Sequence, residues 1–171
     1  YNDEEQGLPF YQGKRQFGQK YIGAPEKWTT QITREAQPGD ILMSVRAPVG
    51  PINFATEKAC IGRGLAAIRV GGKIDGDFLF FALLSKQEQI NGTEGAVYPS
   101  INKTQISAIS IPLPPLPEQK RIVAILDQAF AAIDKAVANT ENNLANAREL
   151  FESYLNRVFA ERGEGWVRRT L

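Results

Sequence analysis

Between residues 10 and 34 the chain interleaves rings and cations: Phe10, Tyr11, Lys14, Arg15, Phe17, Lys20, Tyr21, Lys27, Trp28 and Arg34. Ammonium and guanidinium groups neutralise phosphates, and an arginine fork grips guanine through two hydrogen bonds. Gln12, Gln16 and Gln19 carry the amide that reads adenine. On charge and loop position, the residues expected to bind DNA are Lys14, Arg15, Lys20, Lys27, Arg46, Lys58, Arg63 and Lys103. Net charge is only +1, but residues 8–70 hold nine Lys/Arg against four Asp/Glu, whereas residues 1–7 hold three acids and no base. A basic face on the first part of the chain is one reading of this balance; an ordinary solvated surface is the other, and charge alone favours the second. The competing reading of the same run is a β-domain with aromatic core residues and solvated charges between them.

Signals for catalysis are sparse. The chain has no histidine, which removes the commonest general base and the usual triads. Gly62-Arg63-Gly64 followed by Ala67 loosely matches a dinucleotide fingerprint, but Ala66–Val70 reads as a strand where that motif needs a helix. Gly71-Gly72-Lys73 lacks the rest of a phosphate loop, and the Pro-Pro-Tyr element of amino-methyltransferases is absent. Asp40 with Glu118 and Lys120 is a nuclease-like set in kind. Glu118 and Lys120 open a long helix, however, where capping accounts for them. No cofactor and no metal is expected. Cys60, the single cysteine, sits in a strand-like run and reads as a small core residue, with cytoplasm as the default compartment. No stretch approaches 18 apolar residues, so no membrane-spanning helix is expected.

The elements that must position these groups divide into three: a recognition domain over 1–116, a long helix over 117–162 and a strand-like tail over 163–171. The fold class expected is α+β, a β-rich globular domain with short helices followed by one coiled-coil-like helix. Gln37–Asp40 reads as a turn, Asp40–Arg46 as a strand, Ala47–Pro51 as a second turn and Ile52–Thr56 as a strand. Cys60-Ile61 and Leu65–Val70 are further strand segments. A helix is expected over Asp77–Gln89, capped by Asp77, with Phe78, Phe81, Ala82 and Leu84 or Ser85 buried. Asn102 caps a helical turn through Lys103–Ile106, and Ile109-Ser110-Ile111 reads as a last strand.

Ile111–Pro117 is too rich in proline for regular pairing and should be extended. From Glu118 to about Arg162 there is neither Pro nor Gly. Apolar or small residues recur at Ile122, Leu126, Ala129, Ile133, Val137, Thr140, Leu144, Ala147, Phe151, Tyr154 and Val158. Their steps of three and four make a heptad seam with one stutter at Ile133–Val137. A rod of roughly 65–70 Å cannot bury that seam against one small domain, so it calls for a partner helix. Ile122, Leu126, Ile133, Val137, Leu144, Phe151, Tyr154 and Val158 are the expected interface residues.

Four regions carry a family resemblance. Gly95-Ala96-Val97-Tyr98-Pro99-Ser100-Ile101-Asn102-Lys103, followed by Ile109–Ile122 with its Pro-rich run and Glu118-Gln119, closely resembles the end of a recognition domain in type I restriction–modification specificity subunits. Gly39–Leu42 followed by Arg46–Gly50 is similar to that family's central strand-turn motif, and Leu150–Leu155 to the end of its spacer helix. Trp166–Leu171 resembles the family's opening segment, displaced to the C-terminus.

The resemblance implies a non-catalytic subunit that reads a split DNA site. Two antiparallel spacer helices set the gap between the half-sites, and methyltransferase (modification) and restriction subunits bring the chemistry. With one recognition domain and one spacer, the chain is expected to be a half-subunit or a fragment, pairing as a homodimer through the long helix in the first case. Tyr98, Ser100 and Asn102 match the family motif, and shaping a turn and capping a helix is an equal reading of them. The alternative from a different class is a coiled-coil oligomerisation module with a protein-binding head. Salt-sensitive DNA binding separates the two.

Overall fold

A computed structural model describes residues 1–90, 100–161 and 165–167. Contacts within the chain form two units, Tyr1–Val123 and Ala124–Leu171. Among the described residues, seven short strands, two short α-helices and one long α-helix make an α+β fold: β1 (Leu8–Tyr11), β2 (Trp28–Thr29), β3 (Glu35–Ala36), β4 (Ile41–Ser44), β5 (Ile52–Phe54), β6 (Ala59–Ile61), β7 (Leu65–Ile68), α1 (Gly76–Leu84), α2 (Lys103–Ser107) and α3 (Leu116–Ala160).

The strands form two sheets, ordered β2-β1-β6-β3 and β5-β4-β7. All pairings are antiparallel except β1 with β6, which run parallel with Phe10 opposite Cys60 and Tyr11 opposite Ile61. Tyr11, Ile22, Ala36, Leu42, Ala59, Ile61 and Leu65 form a common core drawn from both sheets. Each large apolar side chain so buried contributes roughly 1.5–3 kcal/mol. Cys60 is buried, as expected of a small core residue.

Strand β4 is buried at all four positions. Leu42 belongs to that core, and the alternation of a strand sends Ile41 and Met43 to the opposite face. Helix α1 packs against β5 there, stacking Phe80 on Phe54 with ring centroids 5.0 Å apart. That covering explains why α1 buries Phe78, Leu79, Phe80, Phe81 and Leu83 rather than the narrow stripe expected.

Several boundaries differ from the sequence reading. Asp75, not Asp77, caps α1, its carboxylate accepting the Phe78 N–H at 3.1 Å. Asp77 instead takes part in an ion pair with Lys20. The helix stops at Leu84, and turns carry the chain on to Ile90. Ile109–Ile111 joins no sheet among the described residues. Trp166 and Val167 are not in a strand, while 168–171 and Gly95–Pro99 lie outside the described residues. The turn at Gln37–Asp40 is present, closed by the Asp40 N–H donating to the Gln37 carbonyl and by Gly39 at φ +85°.

Candidate nucleic-acid interface

Parallel pairing decides where the cations go. Because β1 and β6 run the same way, the turns that leave them emerge at one end of the sheet. The turn after β1 holds Gln12, Lys14, Arg15 and Gln16; the turn after β6 holds Gly62, Arg63 and Gly64. The two are interlocked. The Gly62 N–H donates to the Tyr11 carbonyl at 2.8 Å. A methyl group at Gly64 would collide with the Gln12 carbonyl oxygen, and one at Gly62 would lie 3.0 Å from the Gln12 Cα. Only glycine lets the second turn lie this close against the first.

Other strands bring their ends to the same place. Strand β3 is antiparallel to β6, and the Ile61 N–H donates to the Arg34 carbonyl, so Arg34 sits beside the exit of β6. Strand β4 finishes opposite the start of β7, with the Val45 N–H donating to the Gly64 carbonyl, so Arg46 follows here as well. Arg46 bridges Ser100, and the Ile101 N–H donates to the Val45 carbonyl, which delivers Asn102 and Lys103. Asn102 caps α2 in a reciprocal capping box with Gln105, fixing Lys103 at the first helical position. A groove of about 620 Å3 runs between α2 and the β7 edge, with Arg34 and Lys103 on its walls.

Lys27, whose carbonyl accepts the Phe10 N–H, shares a surface pocket with Gln12, Arg15 and Gln16, so six of the eight cations singled out from the sequence share one end of the domain: Lys14, Arg15, Lys27, Arg46, Arg63 and Lys103. The other two lie elsewhere. Lys20 is tied to β5 at the far end of the second sheet, where its carbonyl accepts from Phe54 and its ammonium pairs with Asp77 at 2.9 Å. Lys58 precedes β6 and pairs with Glu35 at 3.1 Å. Arg34 is the cation the sequence shortlist lacked.

Ion pairing sorts these groups further. Of the nine bases in residues 8–70, five have acidic partners: Arg15 with Glu26, Lys20 with Asp77, Lys27 with Asp3, Lys58 with Glu35, and Arg69 with Asp40. Lys14, Arg34, Arg46 and Arg63, like Lys103, are exposed and have no acidic partner among the described residues. All five lie at the shared end. The Arg15–Glu26 pair is loose, at 3.3 Å with 80% of the arginine side chain exposed. An end so built can neutralise several phosphates and present guanidinium and amide groups to base edges.

The nuclease-like acids are engaged otherwise. Burial would raise the Asp40 carboxyl, but hydrogen bonds from Arg69 at 3.0 and 2.8 Å, the Gln37 N–H and the Arg69 charge outweigh it and hold Asp40 below its ordinary value. Glu118 takes a two-point bond from Arg121, which likewise lowers its carboxyl. Among the described residues no cluster of three or more His, Cys, Asp or Glu could hold a metal ion.

The residue most distant from any expectation is Gln119, fully buried in the first turn of α3. Its side-chain oxygen accepts the Asp75 N–H at 2.7 Å, and its amide donates to the carbonyls of Pro114 at 2.7 Å and Lys73 at 3.3 Å. The start of α3 is thereby pinned to the approach to α1. Beyond it, from Ala124 to Ala160, only Leu126 is partly buried, and the seam residues Ile133, Val137, Leu144, Phe151, Tyr154 and Val158 are exposed.

The described residues thus hold a basic end built from strand-exit loops, on a domain whose chain runs on into a long heptad-patterned helix. A family model for the type I restriction modification DNA specificity domain matches residues 4–144, and the chain belongs to that family. It is 47% identical over 126 residues to the chain assigned as the type I restriction enzyme MjaX specificity subunit of Methanocaldococcus jannaschii, covering 71% of this chain and 29% of that one. Among solved structures it resembles the HsdS subunit from Thermoanaerobacter tengcongensis, with TM-score 0.69, 42% identity, and coverage of 79% of this chain and 33% of that one. It also resembles a chain from work on complex assembly and conformational transition of the type I R-M system, with TM-score 0.81, 40% identity, and coverage of 92% and 40%. The chain therefore spans well under half the length of these relatives. No helix among the described residues is long and apolar enough to cross a membrane.

Proposed function

We propose that this chain reads DNA sequence on behalf of a type I restriction–modification enzyme and performs no chemistry itself. The observation that carries this reading is the gathering of Lys14, Arg34, Arg46, Arg63 and Lys103, all without acidic partners among the described residues, at the strand-exit end of a specificity-family domain. Double-stranded DNA is the ligand. Phosphates meet Lys14, Arg15, Arg46 and Lys103, while Gln12, Gln16 and Arg63 face base edges from the two interlocked turns. Residues 1–116 are the recognition domain, and the rest of α3, as far as Ala160, is the helix that sets spacing and binds partners.

The partners are methyltransferase subunits, which supply the catalysis and the methyl donor, and through them restriction subunits. The chain acts in the cytoplasm, where such an enzyme meets DNA. The long helix pairs antiparallel with a second helix, and in a solution of this chain alone that helix comes from another copy. The exposed seam from Ile133 to Val158 supports this, since an apolar stripe of that length is unusual on a soluble monomer.

Titrating the chain with a labelled 30-base-pair duplex across a salt series tests the DNA reading. Each neutralised phosphate adds about 0.9 to the slope of log affinity against log salt, so the expected slope is several units. Binding that is absent or indifferent to salt would overturn it and favour a protein-binding head on an oligomerisation helix.

A further inference from the structure

The apolar pattern of α3 reads nearly the same in both directions from Thr140. Ile122 and Val158 lie 18 residues on either side of it, Leu126 and Tyr154 lie 14, Ala129 and Phe151 lie 11, Ile133 and Ala147 lie 7, and Ala136 and Leu144 lie 4. Every pair matches large with large or large with alanine. Residues beside the seam obey the same rule. Ile125 and Phe130 widen the apolar face before the centre, and Leu150 and Leu155 widen it after, at 15 and 10 residues on each side. Around the centre the face narrows to Ala136, Val137, Thr140 and Leu144.

A helix palindromic in hydrophobicity is complementary to itself when reversed. We propose that a second copy of this chain packs on α3 antiparallel, with the two-fold axis passing beside Thr140. The proposal rests on the reading above that the helix pairs with another copy, and it adds the register. With Thr140 facing Thr140, each seam pair named above becomes a contact between copies, as a two-fold interface requires. At 100° per residue, Ile125 and Leu150 fall to one side of the seam and Phe130 and Leu155 to the other. Ile125 of one copy then flanks Leu150 of the second, and Phe130 flanks Leu155. Val137 lies alongside Leu144 of the second copy.

The centre is built for close approach. The Thr140 hydroxyl donates to the Ala136 carbonyl of its own helix at 2.8 Å, so its polar group is satisfied without a partner and its methyl is free to meet the second copy. Ile133, Leu144 and Phe151 each meet an alanine, a large side chain over a small one, which lets helices interdigitate. A parallel pair would set Phe151 against Phe151 and leave Ala129 against Ala129, losing the match of volumes. Shifting the antiparallel register by one heptad would leave one wide end of each helix uncovered.

Cysteine cross-linking under mild oxidation, in a Cys60→Ala background and alongside sedimentation, tests the register. Thr140→Cys should convert most of the chain to a covalent dimer. Leu126→Cys alone should not, because its copies lie about 40 Å apart at 1.5 Å per residue. A mixture of Leu126→Cys and Tyr154→Cys chains should cross-link to each other. A sedimenting dimer in which Thr140→Cys does not cross-link, or Leu126→Cys links to itself, overturns this register while leaving the pairing standing. A chain monomeric at tens of micromolar overturns the pairing itself.

Discussion

The side-chain oxygen of Gln119 accepts the backbone N–H of Asp75 at 2.7 Å, across 44 residues of sequence. That bond joins the first turn of the long helix to the residue that caps α1, and the amide end of the same side chain closes two further carbonyls. Gln119→Leu takes the partner from one backbone donor and two backbone acceptors, all partly buried. At 1–3 kcal/mol for a group so stranded, the expected loss is about 3 kcal/mol, read as a fall in the urea midpoint with m unchanged. A loss below about 0.5 kcal/mol would mean that water replaces the glutamine at no cost.

Asp40 and Arg69 give the domain a defined acid sensitivity. Asp40 is held below its ordinary value, so the stability it contributes is present above about pH 4 and is lost as pH falls through its lower folded value. Removing the guanidinium leaves burial, which raises a carboxyl, with less to oppose it. Arg69→Gln is expected to move the acid-unfolding midpoint upward, followed by near-ultraviolet circular dichroism. An unchanged midpoint would show that the Gln37 N–H alone holds Asp40.

The cations without an acidic partner among the described residues and the paired ones should separate in DNA binding. Lys14→Ala with Arg46→Ala is expected to lower the salt slope by about 2, at about 0.9 per phosphate contact. Lys58→Ala, whose ammonium is paired with Glu35 on the entry side of β6, should leave the slope unchanged within error. Equal effects of the two variants would place the binding surface elsewhere.

Leu126→Asp and Leu144→Asp each put a carboxylate into the helix seam. An unpaired charge there costs several kcal/mol, so sedimentation should find monomers at concentrations where the parent chain is dimeric. The domain core is untouched by either change, and the thermal transition of the 1–123 unit should persist.

The long helix was legible because an unbroken run without Pro or Gly from Glu118 to Arg162 and a seam in steps of three and four leave no other structure for the chain. Asn102 was legible as a cap because asparagine ahead of a helical turn acts locally, through Gln105 three residues on. Asp75 was not. Asp75 and Asp77 are equally good local caps, and Gln119 helps hold the first in place from 44 residues away. Strands β4, β5 and β7 were found but read too long at their ends, since Asp40 belongs to the turn it closes and Arg69 leaves β7 to reach it, while β1, β2 and β3 were not read as strands at all. The convergence of the cations was beyond sequence reasoning for the same kind of reason. It depends on β1 and β6 pairing in parallel across about fifty residues, and neither strand's composition announces its partner.

Selection from a pool of randomised duplexes tests the central claim most directly: bound DNA is recovered from the intact chain over several rounds and sequenced. Sequence reading at the strand-exit end, doubled by an antiparallel helix pair, predicts enrichment of two inverted half-sites separated by a constant gap. The same selection with Arg63→Ala should relax a single base position in each half-site, and with Lys14→Ala should weaken recovery without changing the motif. Recovered pools no different from the starting pool, from a chain that is folded and dimeric, would contradict the account.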